Sequence, residues 1–567
     1  MNLTIVEHLN FLYGPEAAGE ILPRLAELIE RYQPRLAGGA ADFFDERDVV
    51  LITYGDMVQA AGERPLRALA SFLRQQVAGV VNTIHLLPFY PYSSDDGFSV
   101  IDYWAVDPAL GTWADVAEIG HDFRLMFDAV INHISAQSDW FQGFLRGEPP
   151  FSDYFVVPEP GADVTAVFRP RALPLLTDVQ TAAGPRRVWT TFSADQIDLN
   201  FANPDVLLKI SELLLFYVAQ GARLIRLDAI AFMWKEAGTS CLHLPQTHRI
   251  IQLWRSILDL VAPQVALITE TNVPHEDNIA YFGNGRNEAQ LVYNFSLPPL
   301  TLHAFHNGRA DILATWAQTL TLPSDRATFF NFLASHDGIG LTPARGLLPE
   351  TAVSDMAARV LRLGGQVSYR ANPDGSQTAY ELNINYLDAL ADPDAPDEPI
   401  DLIVRRFLTA QAIMLALRGV PGIYFHSLFG SRGWPDGVPM TGRARTINRQ
   451  KLDAAHLTAE LGRAGSLRQQ VFAGYRGLLQ ARSRSAAFHP NGKQEILFWH
   501  PALFAVRRTA PDGAAQALCL HNVSREPVIV ALPPGRFIDL LGQRPFSASA
   551  LVTIRPYQTI WLQEGLG

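Results

Sequence analysis

The chain is predicted to be an α/β protein: a (β/α)8 TIM barrel with two inserted subdomains and a C-terminal antiparallel β-domain. Three observations predict it. Short apolar, β-branched runs of strand length alternate with helical segments, and eight such runs can be counted before residue 430. Four polar segments follow or close such runs in a fixed order: Asp128-Ala-Val-Ile-Asn-His133, Arg226-Leu-Asp228, Val265-Ala-Leu-Ile-Thr-Glu270 and Ser335-His336-Asp337. Carboxylates at the carboxyl ends of buried strands occupy the place where barrel enzymes keep their chemistry. Finally, two connections are too long for ordinary loops and read as folded insertions.

In chain order, residues 1–45 read as helical, with Ala/Leu/Glu-rich spacing from Glu16 to Tyr32, and form an N-terminal extension on the barrel. The strand runs are then Val49–Tyr54, Val80–Leu87, Phe123–Val130, Ala222–Leu227, Val265–Thr269, Leu291–Tyr293, Thr328–Leu333 and Val420–Phe425, with a helix at Pro65–Gln76 between the first two. The resulting division is barrel at 1–133, a Pro-, Gly- and aromatic-rich inserted domain at 134–203 and barrel again at 204–337. A second inserted cap follows at 338–401, with a turn at Ala371-Asn-Pro-Asp-Gly-Ser376, then the last barrel part at 402–482. From 483 to 567 short apolar runs separated by turns such as Ala510-Pro-Asp-Gly513 predict the antiparallel domain.

At 567 residues, 48% hydrophobic and 18% charged, the chain can bury a large core and is not globally disordered. A net charge of −11 argues against nucleic acid or an anionic membrane as partner. It also means that an anionic substrate would need a local cluster of cations. Cys241 and Cys519 cannot build a disulfide framework, and no CxxC pair suggests zinc. The start carries no basic leader or cleavage signal, and no apolar run reaches the roughly eighteen residues of a membrane span. A soluble cytoplasmic protein is expected. No cofactor is implied, and a homodimer is compatible with the sequence.

Acids converging on one barrel face suit glycosyl transfer, in which one carboxylate attacks and another donates a proton. Asp228 is the expected nucleophile, with Arg226 two residues earlier on the same side of the strand to keep it ionised. Alone, the two could equally be a buried pair holding the strand end. Glu270 is the expected general acid/base, its pKa raised by burial and neighbouring charge; Glu236, Glu276 and Glu288 lie in loops or helices and are worse placed. Asp337 is the third carboxylate. Ser335-His336-Asp337 is no hydrolase relay, because three consecutive residues cannot fold onto one another and no Gly-x-Ser-x-Gly elbow is present. His133 and His336 lack a helical HExxH and are read as hydrogen-bonding partners of sugar hydroxyls rather than metal ligands.

These four segments resemble the signature regions of the α-amylase superfamily. Closer likeness is to its sucrose phosphorylase group, through His85-Leu-Leu-Pro-Phe89, Asp96-Gly-Phe98, Asp102-Tyr103, Lys235-Glu-Ala-Gly-Thr-Ser-Cys241, His336-Asp-Gly-Ile-Gly340 and Ile447-Asn-Arg449. The resemblance spans residues 50–450 and implies roles position by position. Asp228, Glu270 and Asp337 would be nucleophile, acid/base and transition-state stabiliser. Arg226, His133 and His336 would surround a glucosyl ring, with Asp95 and Arg449 clamping its far hydroxyls. Phe98 resembles the aromatic platform, Phe192 with Gln196 the pair that shields the glucosyl-enzyme, and Arg171 the arginine that meets phosphate. Such an arginine would also supply the cation that an acidic chain needs.

Asp95-Asp-Gly stands where the sucrose enzymes have Asp-Arg-Gly, Gln450 replaces a histidine, and Tyr380–Tyr386 does not read like their acceptor loop. The Tyr90–Tyr103 run looks more like relatives acting on glucosylglycerate, and Arg345 on the second cap is the candidate to receive a glycerate carboxylate. The implied activity is that of a retaining α-glucoside phosphorylase producing α-glucose 1-phosphate. The alternatives are sucrose, sucrose 6'-phosphate or glucosylglycerol as donor, a glucosidase or transglucosidase, or a sugar-binding protein on an inactivated barrel.

Overall fold

The computed structural model describes residues 3–36, 38–39, 43–171, 173–371, 376–533, 535–547 and 551–564. Eight parallel strands close into a barrel: β1 (Val50–Thr53), β2 (Thr83–Leu86), β3 (Arg124–Ala129), β4 (Ala222–Leu227), β5 (Ala266–Thr269), β6 (Leu291–Tyr293), β7 (Thr328–Asn331) and β8 (Val420–Tyr424). Each is H-bonded to its sequence neighbours among the eight, and β8 closes on β1. Nearly every strand residue is buried, as expected where one face fills the barrel and the other meets helices. The expected runs are all present. Ala222–Leu227 and Leu291–Tyr293 coincide with the observed strands, and the other six runs overshoot them by one to three residues at one or both ends.

The N-terminal residues form a helix, Leu3–Tyr32, broken at Gly14, whose φ of 80° no continuous helix accepts. The helix packs on Pro204–Ala219 and Pro245–Val261 outside the barrel, where Arg24 and Arg31 reach Asp205 and Glu212 at 2.7 and 2.9 Å. The connection after β3 carries a helix, Asp139–Arg146, a hairpin of Leu176–Thr181 with Gly184–Trp189, and an antiparallel pair, His133–Ser135 with Gln196–Asp198, that closes the insertion at its base. That after β7 carries helix Glu350–Arg362 and a three-stranded sheet of Ile339–Gly340, Gln366–Ala371 and Gln377–Asn383. Residues 372–375 of the expected Ala371–Ser376 turn lie outside the described residues.

A six-stranded antiparallel sheet and a two-stranded one form the C-terminal part. Three of their strands, Arg536–Asp539, Arg544–Ser547 and Val552–Ile554, are too short or too polar to stand out in the sequence. Arg508 donates to the Ala416 carbonyl at 2.9 Å and Thr409 Oγ1 donates to the Tyr557 carbonyl at 2.8 Å, so the domain is bonded to the barrel. Cys241 and Cys519 are buried and unpaired. Among the described residues no helix is long and apolar enough to cross a membrane.

Candidate active site

Strand register determines which carboxylates meet. Asp128 of β3 lies opposite Arg226 of β4, which lies opposite Ile268 of β5. The ladder continues one residue further on both sides: Asp228 donates its backbone N–H to Ala129 O and Glu270 donates its own to Leu227 O, each at 3.1 Å. Asp228 and Glu270 therefore stand level on the barrel rim. Arg226 lies beneath them, 3% exposed, and donates one Nη1 to Asp128 and to Asp228, the latter at 2.8 Å. Its other terminal nitrogen is 3.9 Å from Glu270 Oε2. Asp128 is held from the far side by His85 at 2.7 Å.

Asp337 joins from the loop after β7. Arg445 Nη1 donates to it at 2.5 Å, and Arg449 Nη2 at 3.4 Å. Arg445 continues to Glu381 of the second insertion at 2.7 and 3.1 Å, so one planar fork ties the third carboxylate to the cap. Gly338, directly after Asp337, permits this closeness: a Cβ there would stand 2.6 Å from Glu381 Cγ and 2.7 Å from Leu382 O.

The acids differ in their electrostatics. Burial, with Glu270, Asp128 and Asp337 nearby and against the pull of Arg226, pushes Asp228 up to about 8. Burial raises Glu270 as well. Two adjacent raised carboxyls retain a proton near neutrality, and Arg226, 1.1 Å nearer to Asp228 (2.8 against 3.9 Å), favours the anion there and the proton on Glu270. Asp337 goes the other way: burial opposes ionisation, but the Arg445 and Arg449 guanidinium groups hold it well below the usual carboxylate range. Burial lowers His133 and brings His336 down to about 3, so both rings are neutral.

The expected ring-binding residues gather around these acids. Phe98 stacks on His336 with centroids 4.8 Å apart and planes within 3°, and Arg226 lies over its ring at 5.8 Å. The Phe98 carbonyl accepts from His133 Nε2 and Gln196 Nε2 at 2.8 and 3.0 Å, which joins the first insertion to the barrel rim. Phe192 lies 5.3 Å from His133, under the Arg171 guanidinium at 5.6 Å. Asp95 and Asp96 adopt left-handed φ of 56° and 50°, and Gly97 follows at 104°, where a Cβ would stand 2.6 Å from Pro88 O. This turn sends the two aspartates different ways. Asp95 meets Arg171 at 3.3 Å and Arg443 at 3.8 Å, while Asp96 meets Arg449. Arg449 thus reaches its neighbour Asp96, the His336 carbonyl and Asp337 rather than Asp95 itself, although it shares a side hollow with Asp95.

A cavity of about 1050 Å³, its mouth included, opens above Asp228, Glu270 and Asp337. Asp95, Phe98, His133, Arg171, Phe192, Gln196 and His336 line it. Arg226 lies below its floor. Arg345 does not line it; its Nη2 is shielded from solvent, and Arg370 of strand Gln366–Ala371, near enough to feel its charge, stands in the wall instead. This corrects the expected carboxylate contact, since the spacing of residues on a cap gives no indication of which arginine faces inward. Arg445, Tyr380 and Asn272 also line the cavity without having been singled out. For Arg445 the available signal was Arg443-Ala-Arg445 shortly before Arg449, three cations in an acidic chain. Lys235, from the most distinctive stretch, is buried and bonds Asp198 and Asn132 Oδ1 at 2.7 Å each, tying the first insertion to the end of β3.

Comparison with known proteins agrees with this architecture. The catalytic-domain model of the α-amylase family matches residues 78–339. The chain is 49% identical over 559 residues to glucosylglycerate phosphorylase of Allomeiothermus silvanus, covering 99% of this chain and 98% of that protein. It is 44% identical over 564 residues to glucosylglycerate phosphorylase of Escherichia coli, covering 99% and 100%. Among solved structures, sucrose 6F-phosphate phosphorylase from Thermoanaerobacter thermosaccharolyticum superposes with a TM-score of 0.73 at 23% identity, over 86% of this chain and 96% of that one, a likeness of fold.

Proposed function

The chain belongs to the α-amylase family, and we propose that it is a retaining α-glucoside phosphorylase whose donor is glucosylglycerate. The observation that carries the reading is the near full-length identity of 49% and 44% to two glucosylglycerate phosphorylases, joined to a rim that holds two level carboxyls over one arginine.

In the proposed reaction glucose lies on the Phe98–His336 stack with its anomeric carbon between Asp228 and Glu270. Asp228 attacks that carbon as the bond to the glycerate oxygen breaks, and Glu270 gives its proton to the departing oxygen. Asp337, kept anionic by Arg445 and Arg449, steadies the oxocarbenium-like charge between the two states. Phosphate then enters the space glycerate has left, drawn by Arg171, and one of its oxygens bonds to the anomeric carbon. Its proton passes to Glu270 and Asp228 is released, giving α-glucose 1-phosphate with retained configuration. Phe192, Gln196 and the two insertions enclose the intermediate and limit access of water.

The test is incubation of the protein with 2-O-α-glucosylglycerate, with and without phosphate. Glucose 1-phosphate formed only with phosphate is expected; free glucose released equally without it would make the enzyme a hydrolase. Arg171→Ala should raise the KM for phosphate and reduce phosphorolysis at least tenfold more than residual hydrolysis, and equal losses would remove its phosphate role.

A further inference from the structure

Four arginines line the cavity: Arg169, Arg171, Arg370 and Arg445. Three of them are accounted for. Arg445 is committed to Asp337 and Glu381, Arg171 shares Asp95, and Arg169 is exposed at the mouth. Arg370 differs. It lies on strand Gln366–Ala371 of the second insertion, opposite Thr378, so it shares a sheet face with Tyr380, which also lines the cavity. Its Nε is shielded from solvent and has no hydrogen-bond partner, and among the described residues no carboxylate lies within ion-pair distance. Burial, then repulsion from Arg345, disfavours its charge, and the more weakly felt carboxylate of Glu350 offsets this only in part.

A partly desolvated guanidinium backed by a second one is unfavourable unless an anion arrives. On the phosphorylase reading, on which this inference rests, the cavity receives two anions in turn: the glycerate carboxylate and then phosphate. Arg171 enters from the first insertion and Arg370 from the second, so the leaving group is held between the two caps. A planar fork matches a planar carboxylate in two parallel hydrogen bonds. We infer that Arg370 is the specificity-determining residue that binds the donor's carboxylate, and that it is the part of the cavity that distinguishes glucosylglycerate from neutral glucosides. A donor without the carboxylate leaves this half-buried guanidinium without its anion and its shielded Nε without a partner, and such a vacancy is what makes a site reject an analogue.

The experiment compares kcat/KM for glucosylglycerate and for glucosylglycerol, the same donor with an alcohol in place of the carboxylate, in the unmodified protein and in Arg370→Gln. The ratio of the two donors is measured on one sample, so partial misfolding cancels. Loss of one charge-assisted contact should reduce the ratio about 10- to 100-fold, with the phosphate KM moving less than threefold. A ratio that stays within about threefold overturns the inference, as does a phosphate KM that rises while the ratio holds. Should Arg370→Gln fail to fold, Arg370→Lys carries the test. Lysine keeps the charge but loses the fork, so a several-fold drop in the ratio is expected and an unchanged ratio counts against Arg370. Absence of glucose 1-phosphate from the unmodified protein would remove the phosphorylase reading and this inference with it, an outcome distinct from an active enzyme indifferent to Arg370.

Discussion

Ala229 donates its backbone N–H to Oε2 of Glu270 at 3.1 Å, from a left-handed conformation with φ of 49°. Because Ala229 directly follows Asp228, the chain turn that exposes one catalytic carboxyl also holds the other. An alanine in this region is strained by about 1–2 kcal/mol, while a glycine there loses about 0.5–1 kcal/mol of backbone entropy, so the terms nearly cancel. Ala229→Gly is therefore expected to melt within a few degrees of the parent and to keep kcat within about tenfold. Ala229→Pro, which can neither donate nor adopt positive φ, should lose at least 100-fold in kcat. Equal effects of the two substitutions would show that the turn does not position Glu270.

The buried Asp228–Glu270 pair keeps one proton, which Arg226 favours on Glu270, and burial with the nearby Asp128 and Asp337 raises the titration at Asp228 to about 8 against 3.8 for a free aspartate. Between those values the folded protein binds more protons here than the unfolded chain, so this group lowers stability as pH rises from about 4 to about 8. Asp228→Asn keeps an acceptor for Arg226 and removes the titration. The variant should be inactive, and its Tm should exceed the parent's by roughly 1–3 °C at pH 8 and by less at pH 5. A gain that is larger at pH 5 has the wrong sign for this account. The same pair governs activity: kcat/KM should trace a bell whose base limb reports loss of the proton on Glu270, and that limb should disappear in Glu270→Gln.

The parts readable from sequence were those the backbone dictates. Eight apolar runs define the barrel, and a carboxylate one residue beyond a strand end, as at Asp228 and Glu270, can only project from the rim. Where a strand stops mattered little, which is why run lengths overshot while the facing carboxylates did not. The caps were less legible. Arg345 and Arg370 are both arginines on the second insertion, and only the pairing of Gln366–Ala371 with Gln377–Asn383 turns the latter inward. Arg445 meets Asp337 across more than a hundred residues through a loop without periodicity, so no local pattern announces the contact. Asp96 illustrates the same limit: its pairing with Arg449 depends on two successive positive φ values.

Arg445 offers a separate test of positioning. One of its nitrogens serves Asp337 and the others Glu381, a geometry that a point charge cannot reproduce. Arg445→Lys should lower kcat about 10- to 100-fold, with a smaller change in the KM for glucosylglycerate, because the Asp337 contact matters most as charge develops. A change confined to KM would mean that Arg445 binds substrate and does not orient Asp337.

Lys235 tests how the first insertion is held. Its ammonium, 3% exposed on the side chain, lies 2.7 Å from Asp198 and 2.7 Å from Asn132 Oδ1. Asp198 also accepts from Thr191 N–H at 2.9 Å, and its strand pairs with His133–Ser135, so this contact supports the segment that carries Phe192 and Gln196. Removing one member of a buried ion pair costs about 3–5 kcal/mol because the other charge is left alone. Lys235→Met should lose about that much in chemical denaturation and raise the KM for phosphate, since Arg171 lies on the same insertion. Adding Asp198→Asn removes the stranded carboxylate, so the double variant should recover at least half of the lost stability. Its KM for phosphate should stay high, because the tie between insertion and barrel is still missing. A double variant as unstable as Lys235→Met would show that the loss comes from packing around the lysine stem and not from the unpaired aspartate.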